Sequence, residues 1–146
     1  MNWKRVWLVA LLVFIVMQIT DFLINSVILS GVYAAPGVKE AFRDISVIMG
    51  YYWVMLITGA VFSFFFALIF AKGYESRGLM EGIRYGFYIG MMFVFVMAFN
   101  QFAVYNIPYS LVWYWIILGI IQTIILGIVA ALVYKTKSAP AAAAAA

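Results

Sequence analysis

Apolar residues run along this chain in four long blocks separated by short polar stretches. The blocks cover about residues 6 to 29, 45 to 71, 82 to 105 and 109 to 134. Each exceeds the ~20 residues that a helix needs to cross the hydrocarbon core of a bilayer. The breaks between them carry turn and charge signals. "YAAPGVKEAFRD" (33–44) opens around Pro36-Gly37 and then turns amphipathic, which predicts a short interfacial helix. "KGYESRG" (72–78) is bracketed by glycines, and "NIPY" (106–109) predicts a tight turn at Pro108. Connections this short make sequential helices antiparallel neighbours. The pattern predicts an all-α membrane protein, an antiparallel bundle of four transmembrane helices arranged as two helical hairpins. Residues 1–137 make its single domain, and 138–146 are a low-complexity Ala-rich tail.

Composition agrees. The chain is 68% hydrophobic and 10% charged, against roughly 25% charged in an ordinary soluble domain. A soluble fold of this size could not hide that much apolar surface. Cysteine and histidine are both absent. Disulfides and thiolate ligands are therefore excluded, together with the usual general base, zinc ligand and haem ligand. No enzyme, no metal site and no cofactor is expected. The methionines and phenylalanines would still let a lipid, quinone or pigment lie against the bundle. The net charge of +4 comes with no basic face or nucleic-acid motif, so no nucleic acid is expected as a partner.

Charge placement sets an orientation. Lys4, Arg5, Lys72, Arg77, Arg84, Lys135 and Lys137 fall on one side of the blocks, and Lys39 and Arg43 on the other. The positive-inside rule puts both termini in the cytoplasm, N-in and C-in, in a bacterial inner membrane. Trp3, Trp7, Tyr74 and Tyr134 mark the inner interface; Tyr51, Tyr52, Tyr105, Tyr109, Trp113 and Trp115 mark the outer one. The first apolar block is too long for the core of a signal peptide and reads as a retained helix.

Small residues let helix backbones approach in lipid, where leucine has no advantage over an acyl chain. Three blocks carry them at four-residue spacing: Gly59, Ser63, Ala67 and Ala71; Gly82, Gly86 and Gly90; Gly119, Thr123, Gly127 and Ala131. These ridges predict tight packing within the bundle, with docking of another chain as the competing use. "ALIF" (67–70) and "ALVY" (131–134) close the second and fourth blocks alike, consistent with two hairpins of similar plan.

Polar residues inside the blocks are few. Gln18, Asp21 and Asn25 form one stripe on a helix, about 60° wide. Asp21 lies roughly 22 Å along the axis from Val6, in the outer half of the membrane. Asn100 and Gln101 lie roughly 27 Å beyond Gly82, also in the outer half, near the face of the glycine ridge. The two groups are therefore expected at one depth. An aspartate at a helix centre costs about 2.5–3.5 kcal/mol on insertion scales, so Asp21 should face protein or water. No Lys or Arg lies at its depth. A proton, water or a cation on a partner has to balance it. The cluster Gln18, Asp21, Asn25, Asn100 and Gln101 is thus a hydrogen-bond network, a partner contact or an ion site. Glu81 and Arg84, three apart, are expected to pair or snorkel, and Gln122 to bond a neighbouring helix.

"FALIFAKGYESRGLMEGIRYGFYIG" (66–90) and "ALVYK" (131–135) resemble small four-span bacterial membrane proteins, a likeness that implies no activity. In outline the chain is also similar to the small multidrug resistance family, whose four-span transporters carry an acid in the first span and a small-residue ridge in the fourth. Asp21 and the Gly119–Gly127 ridge occupy those places. The family acid is a glutamate nearer mid-membrane, and the motif around it is missing here. Two functions follow as expectations. The first is a non-catalytic accessory subunit of a larger bacterial membrane complex, in respiratory or photosynthetic electron transfer, docked through its ridges onto other membrane subunits. The second is a proton- or cation-coupled transporter or channel, working as a homo-oligomer with Asp21 as its ion site.

Overall fold

A computed structural model describes residues 1–135; Lys137 and the Ala-rich tail lie outside the described residues. All regular structure among the described residues is helical. Four helical stretches are long and apolar enough to cross a membrane: Trp3–Ile28, Tyr52–Lys72, Leu79–Val104 and Tyr109–Val133, spans one to four. This is the architecture of an integral membrane protein.

Span one is α1 (Trp3–Phe22) running into a π-helical segment, Leu23–Ile28. The Asn2 side chain starts it by accepting the Arg5 N–H at 3.3 Å. A short α2 (Ser30–Tyr33) follows. The interfacial helix expected in 33–44 shrinks to one 3₁₀ turn, Lys39–Ala41. Pro36 lacks an N–H to continue α2, and Gly37 adopts φ 84°, where the Glu40 carboxylate accepts its N–H at 2.6 Å.

The second block is also less regular than expected. It divides into α3 (Ile45–Gly50) and α4 (Tyr52–Lys72), broken at Tyr51, whose ψ is 8°. Gly50 weakens the helix there, by about 1 kcal/mol relative to alanine. Span three is α5 (Leu79–Ile89), a π-helical segment Gly90–Phe95, and α6 (Val96–Val104). Span four is the single α7 (Tyr109–Val133), entered from Pro108.

Close packing follows the small residues. A Cβ on Gly82 would collide with the Gly127 carbonyl and lie 2.8 Å from the Ala131 Cβ. One on Gly86 would collide with the Thr123 carbonyl and lie 2.6 Å from the Ile124 Cα, and one on Gly90 would lie 2.5 Å from the Thr123 hydroxyl. Spans three and four thus meet backbone to backbone. Gly119, on the same span, is covered by Val94, 2.6 Å from a Cβ built there. Span two uses its ridge on span one: a Cβ on Gly59 would lie 2.7 Å from the Met17 Cε and 3.0 Å from the Gln18 amide nitrogen. Ser63 and Ala67 are buried below it. Among the described residues the Ser63 hydroxyl has no hydrogen-bond partner, so size explains its place and polarity does not.

Span one lies between spans two and four. Val6, Val9, Ala10 and Val13 pack against Phe66, Ala67, Phe70 and Ala71 of α4, and against Leu126, Ala130, Ala131 and Tyr134. Tyr85 closes the ring by donating to the Phe66 carbonyl at 2.7 Å, with the two rings 4.8 Å apart. A second core sits at the opposite end: Val38 of the first connection packs with Ala98, Ile107, Leu111, Val112 and Ile116. Span two has no share in it. From Met49 to Thr58 every residue is exposed, with Trp53 at 60% and Ile57 at 56%.

The 73–78 connection is organised by a buried acid. Glu81 is 5% exposed, and its two oxygens accept the Glu75 N–H at 2.6 Å and the Arg77 N–H at 2.8 Å. It does not pair with Arg84 as its spacing suggested. The Gly78 turn at φ 72° swings Glu81 back under the loop, and Arg84 reaches Glu75 instead, at 2.8 Å. Arg77 joins the same carboxylate at 3.0 Å. The hydrogen bond from Arg84 and the charge of Arg77 hold the Glu75 carboxyl below its ordinary 4.5. A lowered carboxyl stabilises the folded state above its ordinary pKa and loses that contribution as pH falls through the lowered value. Bundle stability is therefore expected to decline as pH falls below 4.5, by a small amount because the pair is exposed. A denaturation series across that range should lose this part of its slope in Glu75→Gln.

Candidate functional site

Asp21 ends the regular part of span one, one residue before α1 closes at Phe22. Its Oδ1 accepts the Gln122 Nε2–H from span four at 2.7 Å. The same amide nitrogen lies 2.8 Å from the Thr20 hydroxyl and 3.5 Å from the Met17 carbonyl. Thr20 turns its own hydrogen inward to the Val16 carbonyl, 2.9 Å away, which leaves its oxygen free to accept. Gln122 is thus a plug from span four seated in a polar notch on span one.

A second run of hydrogen bonds leads from this notch toward the first connection. The Asn25 amide donates to the Asp21 backbone carbonyl at 3.0 Å. Its oxygen accepts the Tyr33 hydroxyl at 2.9 Å. The Trp115 indole N–H donates to Tyr33 at 2.8 Å. Phe42 stacks edge-on against Tyr33 and Trp115, with centroids 5.5 and 6.2 Å away. Burial pushes the Tyr33 phenol above its ordinary 10, against the opposing pull of the Trp115 hydrogen bond. Tyr33 therefore remains neutral and serves as donor and acceptor at once. Spans one and four are stitched at two levels, by Gln122 and by Trp115.

The stripe does not act as one unit. Asp21 and Asn25 join the network, while the Gln18 amide lies over Gly59. Asn100 is exposed and Gln101 half-buried, and among the described residues neither bonds Asp21. The π-helical segment Gly90–Phe95 accounts for this. Each extra residue in a helical turn swings everything after it by about 100°, so residues 100 and 101 leave the face of the glycine ridge. Thr20, Tyr33 and Trp115 are the members that sequence reasoning missed. Hydroxyls and indoles near apolar blocks carry no signal of their own until the fold sets their neighbours.

Chemically, the site presents one half-buried carboxyl, with one oxygen held by an amide and, among the described residues, no Lys or Arg bound to it. No group of three or more metal-ligating side chains occurs among the described residues. The arrangement can hold helices in register, or hold a proton or cation. Gln122→Leu is expected to cost about 1 kcal/mol, the size of interhelical hydrogen bonds in membranes. The same change should cost less in an Asp21→Leu background, where the Thr20 contact remains but the carboxylate is gone, as a double-mutant cycle of unfolding in mixed micelles would read.

No family model matches the chain, and no curated protein or solved structure shows significant similarity to it.

Proposed function

We propose that the chain is a non-catalytic subunit of a larger complex in a bacterial cytoplasmic membrane. Its two hairpins run antiparallel, with both termini on the cytoplasmic side. The contact order supports the antiparallel pairing, since Gly82 meets Ala131 while Gly90 meets Thr123. The excess of Lys and Arg at the end where span one starts supports the orientation.

The observation that carries this reading is the bare stretch that leads from α3 into the first third of span two. A helix within a bundle has one covered face, yet Met49 to Thr58 has none. The small-residue ridges are taken up by the chain's own helices, so docking falls to this segment. Its Tyr51, Tyr52 and Trp53 are the aromatic residue types that anchor contacts between proteins. Extraction in a gentle detergent followed by native gel electrophoresis tests the proposal. The expected result is migration with other polypeptides. A chain running alone, or only with its own copies, would refute it.

A second reading rests on Asp21, a carboxyl in a span that pairs with no Lys or Arg among the described residues. As the proton or cation site of a homo-oligomeric transporter, it requires Asp21→Asn to abolish flux in proteoliposomes while the fold survives. Unchanged flux removes Asp21 from any transport mechanism.

A further inference from the structure

Where span one begins and spans two and four finish, the helices part around an open cavity of about 670 Å³. Its lining is Met1, Asn2, Ala71, Lys72, Tyr74 and Tyr134, with no acidic side chain among them. Lys4 and Arg5 stand in the adjoining first turn of α1, and Lys135 follows Tyr134. The nearest acid along the chain from Lys72, Glu75, is already engaged by Arg77 and Arg84. Lys72 thus lines a cavity of mixed polar and apolar wall, and Lys4, Arg5 and Lys135 stand within a few residues of its lining along the chain.

One task for such cations is to meet the carbonyls at the ends of spans two and four. Arg5 does so, donating to the Tyr134 carbonyl at 3.4 Å. Lys72 does not: among the described residues its ammonium makes no hydrogen bond and no ion pair, and it lies on the cavity wall. The Tyr134 hydroxyl accepts the Asn2 N–H at 3.5 Å in the same region, and the Tyr74 and Tyr134 rings pack with centroids 5.1 Å apart. Trp3 and Trp7 on the same end of α1 are 52% and 61% exposed, which sets the cavity at headgroup level. Basic pockets between helix ends at that level suit anionic headgroups.

We propose that this cavity binds the phosphate ester of an anionic glycerophospholipid headgroup, with Lys72 as its principal charge contact. The test uses the full chain, stripped of lipid in a neutral detergent, with thermal stability as the readout. It is titrated separately with short-chain phosphatidylglycerol, with phosphatidylcholine of equal chain length, and with glycerol phosphate. Phosphatidylglycerol is expected to raise the melting temperature saturably, and phosphatidylcholine to leave it unchanged. Lys72→Gln, an exposed substitution that leaves the packing alone, should weaken the phosphatidylglycerol response about fivefold. Lys39→Gln, at the other end of the molecule, should not. An equal response to both lipids, or an unaltered response in Lys72→Gln, would overturn the proposal. Glycerol phosphate matching the lipid at equal concentration would overturn the lipid assignment in favour of a soluble phosphate ester.

Discussion

Gly86→Val is expected to drive span three off span four. A Cβ at this position meets the Thr123 carbonyl, and at 2.6 Å the Ile124 Cα, so its obstacles are backbone atoms that no rotamer change can move. The contact extends over Gly82, Gly86 and Gly90 against Gly127, Thr123 and Ile120, and a branched side chain at its centre separates all of it. Overpacking a tight core costs about 1–3 kcal/mol. An obstruction made of backbone places this one at about 3 kcal/mol or more. Lipid supplies no hydrophobic force to hold the separated helices together, because an acyl chain serves as well as leucine. Unfolding by increasing dodecyl sulfate in mixed micelles should show the loss, together with loss of the Tyr85–Phe66 bond that depends on the position of span three. Gly31→Ala is the control. Nothing lies within 4 Å of a Cβ there, and stability should be unchanged.

Glu81→Ala is expected to have the next largest effect, about 2–3 kcal/mol. Hydrogen bonds to a charged group contribute about 1.5–3 kcal/mol each, and Glu81 accepts two from the backbone of the 73–78 connection. Water can re-solvate part of what is lost, because Glu75 and Arg77 themselves are exposed. The specific consequence is a loosened connection. Limited proteolysis at Arg77 should accelerate in Glu81→Ala, and Glu81→Gln, which keeps one acceptor, should fall between it and the parent. Equal proteolysis in all three would show that the buried carboxylate does not hold the loop.

Both effects concern features that the sequence displays without explaining. Glycines at positions 82, 86 and 90 announce a close approach, but not the helix they approach; that depends on how all four spans assemble. Glu81 lies three residues from Arg84, and helical spacing alone pairs them. The positive-φ turns at Ser76 and Gly78 fold the loop back, so that backbone amides reach Glu81 first. The four spans themselves were legible because twenty or more apolar residues leave a chain few alternatives to a bilayer helix. The irregularities were not. A break at Tyr51 and two π-helical segments each depend on a few local preferences worth about 1 kcal/mol or less, which tertiary packing overrides in either direction. One such segment separates Asn100 and Gln101 from the glycine face. Asp21 stood out as an acid in an apolar run. Its partner Gln122 was legible as an amide expected to bond a neighbouring helix, but not which helix or which side chain.

The central proposal is that another polypeptide covers the bare stretch from Met49 to Thr58, where span two begins. The chain contains no cysteine, which makes single-site labelling clean, and a photoreactive residue at Trp53 or Met55 in native membranes tests the point most directly. Ile117 on span four, 55% exposed, serves as the lipid-facing reference. The account predicts a discrete, heavier adduct containing a different polypeptide from positions 53 and 55, and none from 117. Adducts with lipid alone at all three positions, or only with a second copy of this chain, would contradict it.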